Sequence, residues 1–164
     1  MKTILGSVVT ALALAGGTVN AADPPAMKEG LWSIHSQTIN NPGGKKSENS
    51  STICRSHAYD QHALDAVKSM KDCSILKESL QGGTYSIQMH CVAADTAIDS
   101  SATVTSMSDT VTHSETHATY NPALGGISDM TLIQDQKYLG SCPAGTHPGD
   151  LTQADGTLMH LWDH

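Results

Sequence analysis

The residues His113-Ser114-Glu115-Thr116-His117 carry the sharpest chemical signal in the sequence. In an extended chain alternate residues share a face, so His113, Glu115 and His117 project together with Val111. Imidazole and carboxylate are ordinary zinc ligands. Distance limits what they can do, because i to i+2 spans roughly 6.6 Å and i to i+4 roughly 13 Å in a strand. Two neighbours can share an ion, and further ligands have to come from an adjacent strand, with His35 and His90 as candidates. A solvated polar face is the alternative use of the same alternation. A second set, His147, Asp150, His160 and His164, lies near the C-terminus. If residues 157–164 were helical, His160 and His164 would share a face and bind a transition metal weakly. Thioethers favour Cu(I), but Met89 and Met130 fall on apolar strand faces and Met70 on a helical stripe, where they read as core.

Nucleophilic chemistry leaves no such trace. There is no Gly-x-Ser-x-Gly elbow, no His-Glu-x-x-His and no phosphate loop, and the carboxylates are scattered through turns. No catalytic residue is assigned. A formal charge of −7 with nine Lys and Arg argues against nucleic acid, whose binding is driven by clustered cations. Four cysteines, Cys54, Cys73, Cys91 and Cys142, with no Cys-x-x-Cys pair, point to two disulfides in an oxidising compartment. Of the possible connectivities, Cys54–Cys73 would brace the intervening helix at both ends. Cys91–Cys142 would then staple the last core strand to an earlier one.

These residues need elements to position them. Met1-Lys2, the apolar run Thr3 to Gly17 and the small residues around Ala21 have the form of a secretory signal peptide over residues 1–21. The run falls short of the ~20 apolar residues a membrane span needs, and no other stretch reaches it. The mature chain is therefore expected in the periplasm or secreted, with no transmembrane anchor. It reads as a single disulfide-stapled domain over residues 22–143 and a flexible tail over residues 144–164. Asp23-Pro24-Pro25 reads as a linker.

The strand from Glu29 to Ile39 sets Trp32 and Ile34 on one face. A second strand runs from about Ser47 to Cys54. Ser56 is an N-cap, and Tyr59, Ala63, Ala66, Val67 and Met70 recur at helical steps, predicting one helix over about residues 57–69 with this stripe on the sheet. Beyond Cys73 the pattern returns to strands. Tyr85, Ile87, Met89 and Cys91 alternate with polar residues, and Ile98, Ala102 and Val104 continue the alternation. A strand from Thr110 to Tyr120, a loop at Asn121–Gly126 and a last strand from Ser128 to Cys142 complete the set. The fold class is mainly β, an antiparallel meander forming a partly closed barrel or sandwich with one short helix.

Lys28-Glu29-Gly30-Leu31-Trp32, Cys54 before a short helix, Met70-Lys71-Asp72-Cys73, the strand ending in Cys91, and Tyr138-Leu139-Gly140-Ser141-Cys142-Pro143 form a combination of motifs. Over about residues 27–143 this combination resembles the bacterial domain-of-unknown-function family 3617. The resemblance implies an exported, small, β-rich bacterial protein and supplies no catalytic residues. The functional expectation is a non-enzymatic binding protein whose concave sheet takes a small apolar ligand or an envelope protein. No cofactor is expected on that reading. The rivals are zinc or copper handling through His113, Glu115 and His117, and an envelope interaction or inhibitor module acting through Asn40–Lys46 or Ala94–Asp99.

Overall fold

The computed structural model describes residues 24–162. The expected signal peptide and His164 lie outside them. Strands β1 (Gly30–Asn41), β2 (Lys45–Arg55), β3 (Cys73–Gln81), β4 (Thr84–Ala93), β5 (Thr96–Ser108), β6 (Val111–Leu124), β7 (Ile127–Gly140), β8 (Asp150–Gln153) and β9 (Leu158–His160) surround one helix, α1 (His57–Lys68). They form one antiparallel sheet in the order β3-β4-β5-β6-β7-β1-β2-β8-β9. The meander turns back on itself because β7 pairs with β1, Trp32 lying opposite Tyr138 and Ile34 opposite Gln136. It is not closed into a barrel: between β2 and β3 there is no ladder, and the connection there is α1.

Geometry shows that the sheet curls around this helix. Tyr59, near the start of α1, packs with Trp32 and Ile53 of β1 and β2. Lys68, at its end, pairs with Glu78 of β3 at 2.8 Å. β2 and β3 stand six places apart in the sheet, about 29 Å if it were flat. Tyr59 and Lys68 are separated by only about 14 Å of helix rise. The sheet must therefore be concave toward α1. Ser56 caps the helix by accepting the Tyr59 N–H at 3.1 Å, and the Glu29 carboxylate accepts the His57 N–H at 2.9 Å. Two free N–H groups of the first turn are satisfied in this way.

The core follows the alternation. Trp32, Ile53 and Tyr59 form one buried cluster, and Tyr85, Ile87 and Met89 another, with Leu64 of α1 packed against the latter. The expected helical stripe is only partly right. Tyr59 is buried and Ala63 and Leu64 are half-buried, whereas Ala66 and Val67 are exposed and Met70, beyond the helix, is 54% exposed. The stripe faces the sheet at its N-terminal half, where Tyr59 and Leu64 pack on the two core clusters, while the last turn is held by the Lys68–Glu78 pair. The loop expected at Asn121–Gly126 is mostly strand: β6 continues to Leu124 after a register shift, and Gly125-Gly126 alone make the reversal. At Gly30, φ is +138° and an added Cβ would lie 2.3 Å from the Gly140 carbonyl oxygen and 2.7 Å from the Tyr138 ring. Glycine there lets Tyr138 close over the start of β1.

Two further expectations are corrected. The disulfides are Cys54–Cys142 and Cys73–Cys91, not Cys54–Cys73 and Cys91–Cys142. Cys73 lies directly opposite Cys91 in the β3–β4 hairpin. Cys91 sits on β4, three strands from β7, about 14 Å away along the sheet and beyond disulfide reach. Cys54 and Gly140 flank Leu31 from either side, so the chain leaving β7 arrives beside Cys54, with a Cα–Cα distance of 5.5 Å. The tail, expected to be flexible, is ordered. β8 pairs with β2 and β9 with β8, Leu151 and Trp162 pack on the Trp32 cluster, and Trp162 stacks on His62 at 5.4 Å. A Cβ on Gly149 would come within 2.9 Å of Trp162 Cβ, so the close approach of the tail depends on this glycine.

Asp150 holds the tail in place. It is 6% exposed, accepts the His147 N–H at 2.8 Å and accepts from His160 Nδ1 at 2.6 Å. The His147 bond first, and His160 second, hold its carboxyl below the usual value. A depressed carboxyl contributes stability above its unfolded value, near 3.9, and loses it as pH falls through the folded value. Tail docking is accordingly expected to be complete above about pH 5 and to weaken progressively as pH falls below about 4. Trp162 emission, isolated by subtracting a Trp162→Phe variant, should change below pH 4 in the native chain. Asp150→Asn should show the undocked emission already at neutral pH. An unchanged Trp162 signal from pH 6 to pH 3 would refute this role of Asp150.

Candidate functional site

The face of the sheet away from α1 carries the predicted metal ligands. In β6, Thr112 and Ala118 are buried, so the opposite parity, His113, Glu115 and His117, points outward. His113 Nδ1 donates to Asp135 Oδ1 at 2.7 Å, and His117 Nδ1 lies 3.3 Å from Thr131 Oγ1. Asp135 stands between His113 and His35 in register, but His35 Nδ1 turns to Ser50 Oγ at 3.2 Å. His90 donates to Asp99 at 2.7 Å. Each imidazole thus has its Nδ1 bonded to a partner on the neighbouring strand. Among the described residues no group of three His, Cys, Asp or Glu is arranged to hold a metal ion. In the tail, His147 and His160 converge on Asp150, where they bind the tail to itself.

The concave side presents a different arrangement. A pocket of about 260 Å³ lies between α1, the segment Pro24–Met27 and the sheet floor at Val104, Ser106 and Gln136. Its walls are apolar at Pro24, Pro25, Met27, Leu64 and Val104. Arg55, the single arginine of the sequence, sits at its polar end. Arg55 Nε and Nη2 donate to Asp60 Oδ1 at 2.8 and 2.7 Å, and Nη1 donates to Gln136 Oε1 at 2.9 Å. Three of its five donors are committed by these bonds. The two side chains are 17% and 22% exposed. Burial raises the Asp60 carboxyl above its ordinary value, and the Arg55 guanidinium offsets part of that rise.

Local sequence explains the placement. Arg55 ends β2 immediately after the half-cystine Cys54, and Asp60 follows in the first turn of α1, where a carboxylate also meets the positive end of the helix. Gln136 is inward on β7, opposite Thr112 and Ile34. The N-terminal wall is held by two backbone carbonyls: Lys28 O accepts Trp32 Nε1–H at 2.7 Å, and Met27 O accepts His57 Nε2–H at 2.9 Å. Lys28 Nζ lies 4.5 Å from the centre of the Tyr138 ring. Sequence reading missed this site. Its available signal was a solitary arginine beside a cysteine at a helix start, with an aspartate one turn on.

Comparison with known proteins follows the same division. Residues 27–142 match the model of a family described as protein of unknown function (DUF3617). No curated protein matches the chain. The structure of the S-type phycobiliprotein lyase CPES from Guillardia theta is similar at a TM-score of 0.44 and 10% sequence identity, covering 69% of this chain and 89% of that chain. The likeness is too slight to carry an argument. The family match stops at Cys142, so β8, β9 and Trp162 lie beyond it, while Arg55, Asp60 and Gln136 lie within it.

Proposed function

The chain belongs to the family described as protein of unknown function (DUF3617), and from that premise we propose that this member is a non-enzymatic binding protein that holds a small, largely apolar molecule beneath α1. The pocket between α1, Pro24–Met27 and the sheet carries the reading. It is concave, apolar along most of its wall, and has a few polar groups gathered at one end, which is the usual make-up of a small-molecule site. No group in it is paired as nucleophile and base. Two disulfides support an oxidising, extracytoplasmic compartment, and no described helix is long and apolar enough to cross a membrane. Zinc or copper handling through His113, Glu115 and His117 ranks behind it, because those side chains face outward and, among the described residues, no three His, Cys, Asp or Glu are grouped to hold an ion.

The small neutral fluorophore 1-aminonaphthalene, two rings and ten carbons, tests the proposal. Saturable binding with one site per chain is expected for the full mature protein. Val104→Phe, which fills the floor of the pocket, should weaken it by about tenfold, the effect of 1–3 kcal/mol of overpacking. Equal binding by the native chain and the variant, or no binding by the native chain, would overturn the reading.

A further inference from the structure

The charges inside the pocket assign a ligand class, an inference that rests on the binding reading above. We propose that the pocket takes an uncharged amphiphile whose head carries both a hydrogen-bond donor and an acceptor, such as an alcohol or a carboxamide, in preference to a carboxylate or an amine of the same chain length.

The charged side chains of the pocket wall, Arg55 and Asp60, already cancel each other, with Asp60 Oδ1 accepting two guanidinium N–H groups. A ligand carboxylate drawn to Arg55 would stand beside Asp60. To gain Arg55 fully it would have to displace that aspartate, leaving a mostly buried charge unpaired. An ammonium head meets the mirror problem, since it must compete with Arg55 for Asp60. His57 does not break the balance, because its Nε2–H is given to Met27 O and its backbone N–H to Glu29. A head that both donates and accepts meets no such penalty. It can accept from guanidinium N–H groups beyond the three bonds already made, and can donate to the second Asp60 oxygen or the Ser106 hydroxyl. Gln136, whose Oε1 already accepts from Arg55, has its amide N–H groups to offer beside them.

Size sets the other half of the ligand. A dry cavity of ~150 Å³ accommodates benzene, so the pocket volume of about 260 Å³ admits an aliphatic chain of about eight carbons against Met27, Leu64 and Val104.

Displacement of 1-aminonaphthalene from the full mature chain by 1-octanol, octanamide, octanoate and octylamine at neutral pH tests the assignment. Octanol and octanamide should displace at concentrations about tenfold or more below those of the two charged probes. Uncharged molecules partition more readily into any apolar site, so the decisive readout is the change in preference on removing one charge. Asp60→Asn leaves Arg55 unopposed and should raise the affinity for octanoate relative to octanol by about tenfold. Arg55→Gln should shift the preference toward octylamine. Octanoate binding as well as octanol in the native chain, or an Asp60→Asn variant with an unchanged octanoate-to-octanol ratio, would overturn the head-group assignment and leave the binding reading standing. Failure of the fluorophore itself to bind would overturn both.

Discussion

Replacing Cys54 and Cys142 together by alanine is expected to lower the unfolding free energy by about 4–5 kcal/mol, and replacing Cys73 and Cys91 by about 3 kcal/mol. The order follows from loop length, since the first bridge spans 88 residues and the second 18. Closing the longer loop removes more freedom from the unfolded chain. The first bridge also fastens the end of β7 to the end of β2, beside Arg55 and the start of α1. Domains of this size are commonly stable by only 5–15 kcal/mol, so the Cys54–Cys142 bridge is a large share of the total. Urea denaturation of the two double-alanine variants gives the comparison. A larger loss for the Cys73–Cys91 pair would show that the shorter hairpin bridge dominates and that loop length does not control the effect.

Trp32→Ala is expected to cost about 3–5 kcal/mol. The indole is 0% exposed, packs with Ile53 and Tyr59, and meets the Tyr138 ring edge-on at 5.8 Å between centroids. Its loss opens a cavity where β1, β2, β7, α1 and the tail meet. The milder Trp32→Phe keeps much of the apolar volume and removes the Nε1–H bond to Lys28 O, with an expected loss of about 1–2 kcal/mol. Because Lys28 adjoins the pocket wall, Trp32→Phe should also loosen that wall and weaken fluorophore binding more than its stability loss explains. A Trp32→Ala variant within 1 kcal/mol of the native chain in urea would contradict the assignment of Trp32 as the centre of the core.

Much of the fold was legible because it rests on local periodicity. The alternation through Tyr85, Ile87 and Met89, the Ser56 cap and the turn at Gly82-Gly83 can all be read within a few residues of themselves, and each is found. The disulfide pairing rests on a register that counting alone does not give. From the turn at Gly82-Gly83 the hairpin register runs Gln81 to Thr84 and Leu80 to Tyr85, and a single bulge near Leu76 brings Cys73 opposite Cys91. Without the bulge Cys73 would face Val92, and the bulge has no sequence mark. The Cys54–Cys142 bridge depends on β7 pairing with β1, a long-range choice that no local pattern announces. The tail was read as flexible from its Gly, Pro and Asp content, yet Asp150 and Gly149 are what dock it. The histidines of β6 were legible as one face, and the direction of that face was not. The pocket joins Pro24, Arg55, Leu64, Val104 and Gln136, residues that only the curl of the sheet brings together.

Both disulfides fasten the segment that carries α1: Cys54 lies just before its cap, and Cys73 begins β3 after the short connection Ser69–Asp72. The helix is therefore anchored covalently at each end and cannot swing as a lever. The opposite wall is held by hydrogen bonds, Trp32 to Lys28 and His57 to Met27 and Glu29, each worth about 1 kcal/mol net. On the binding reading proposed above, entry to the pocket is expected past residues 24–29, the wall without a covalent anchor. Segments held only by such bonds move on a nanosecond-to-microsecond timescale, so exchange is expected to be fast although both disulfides brace the frame around it.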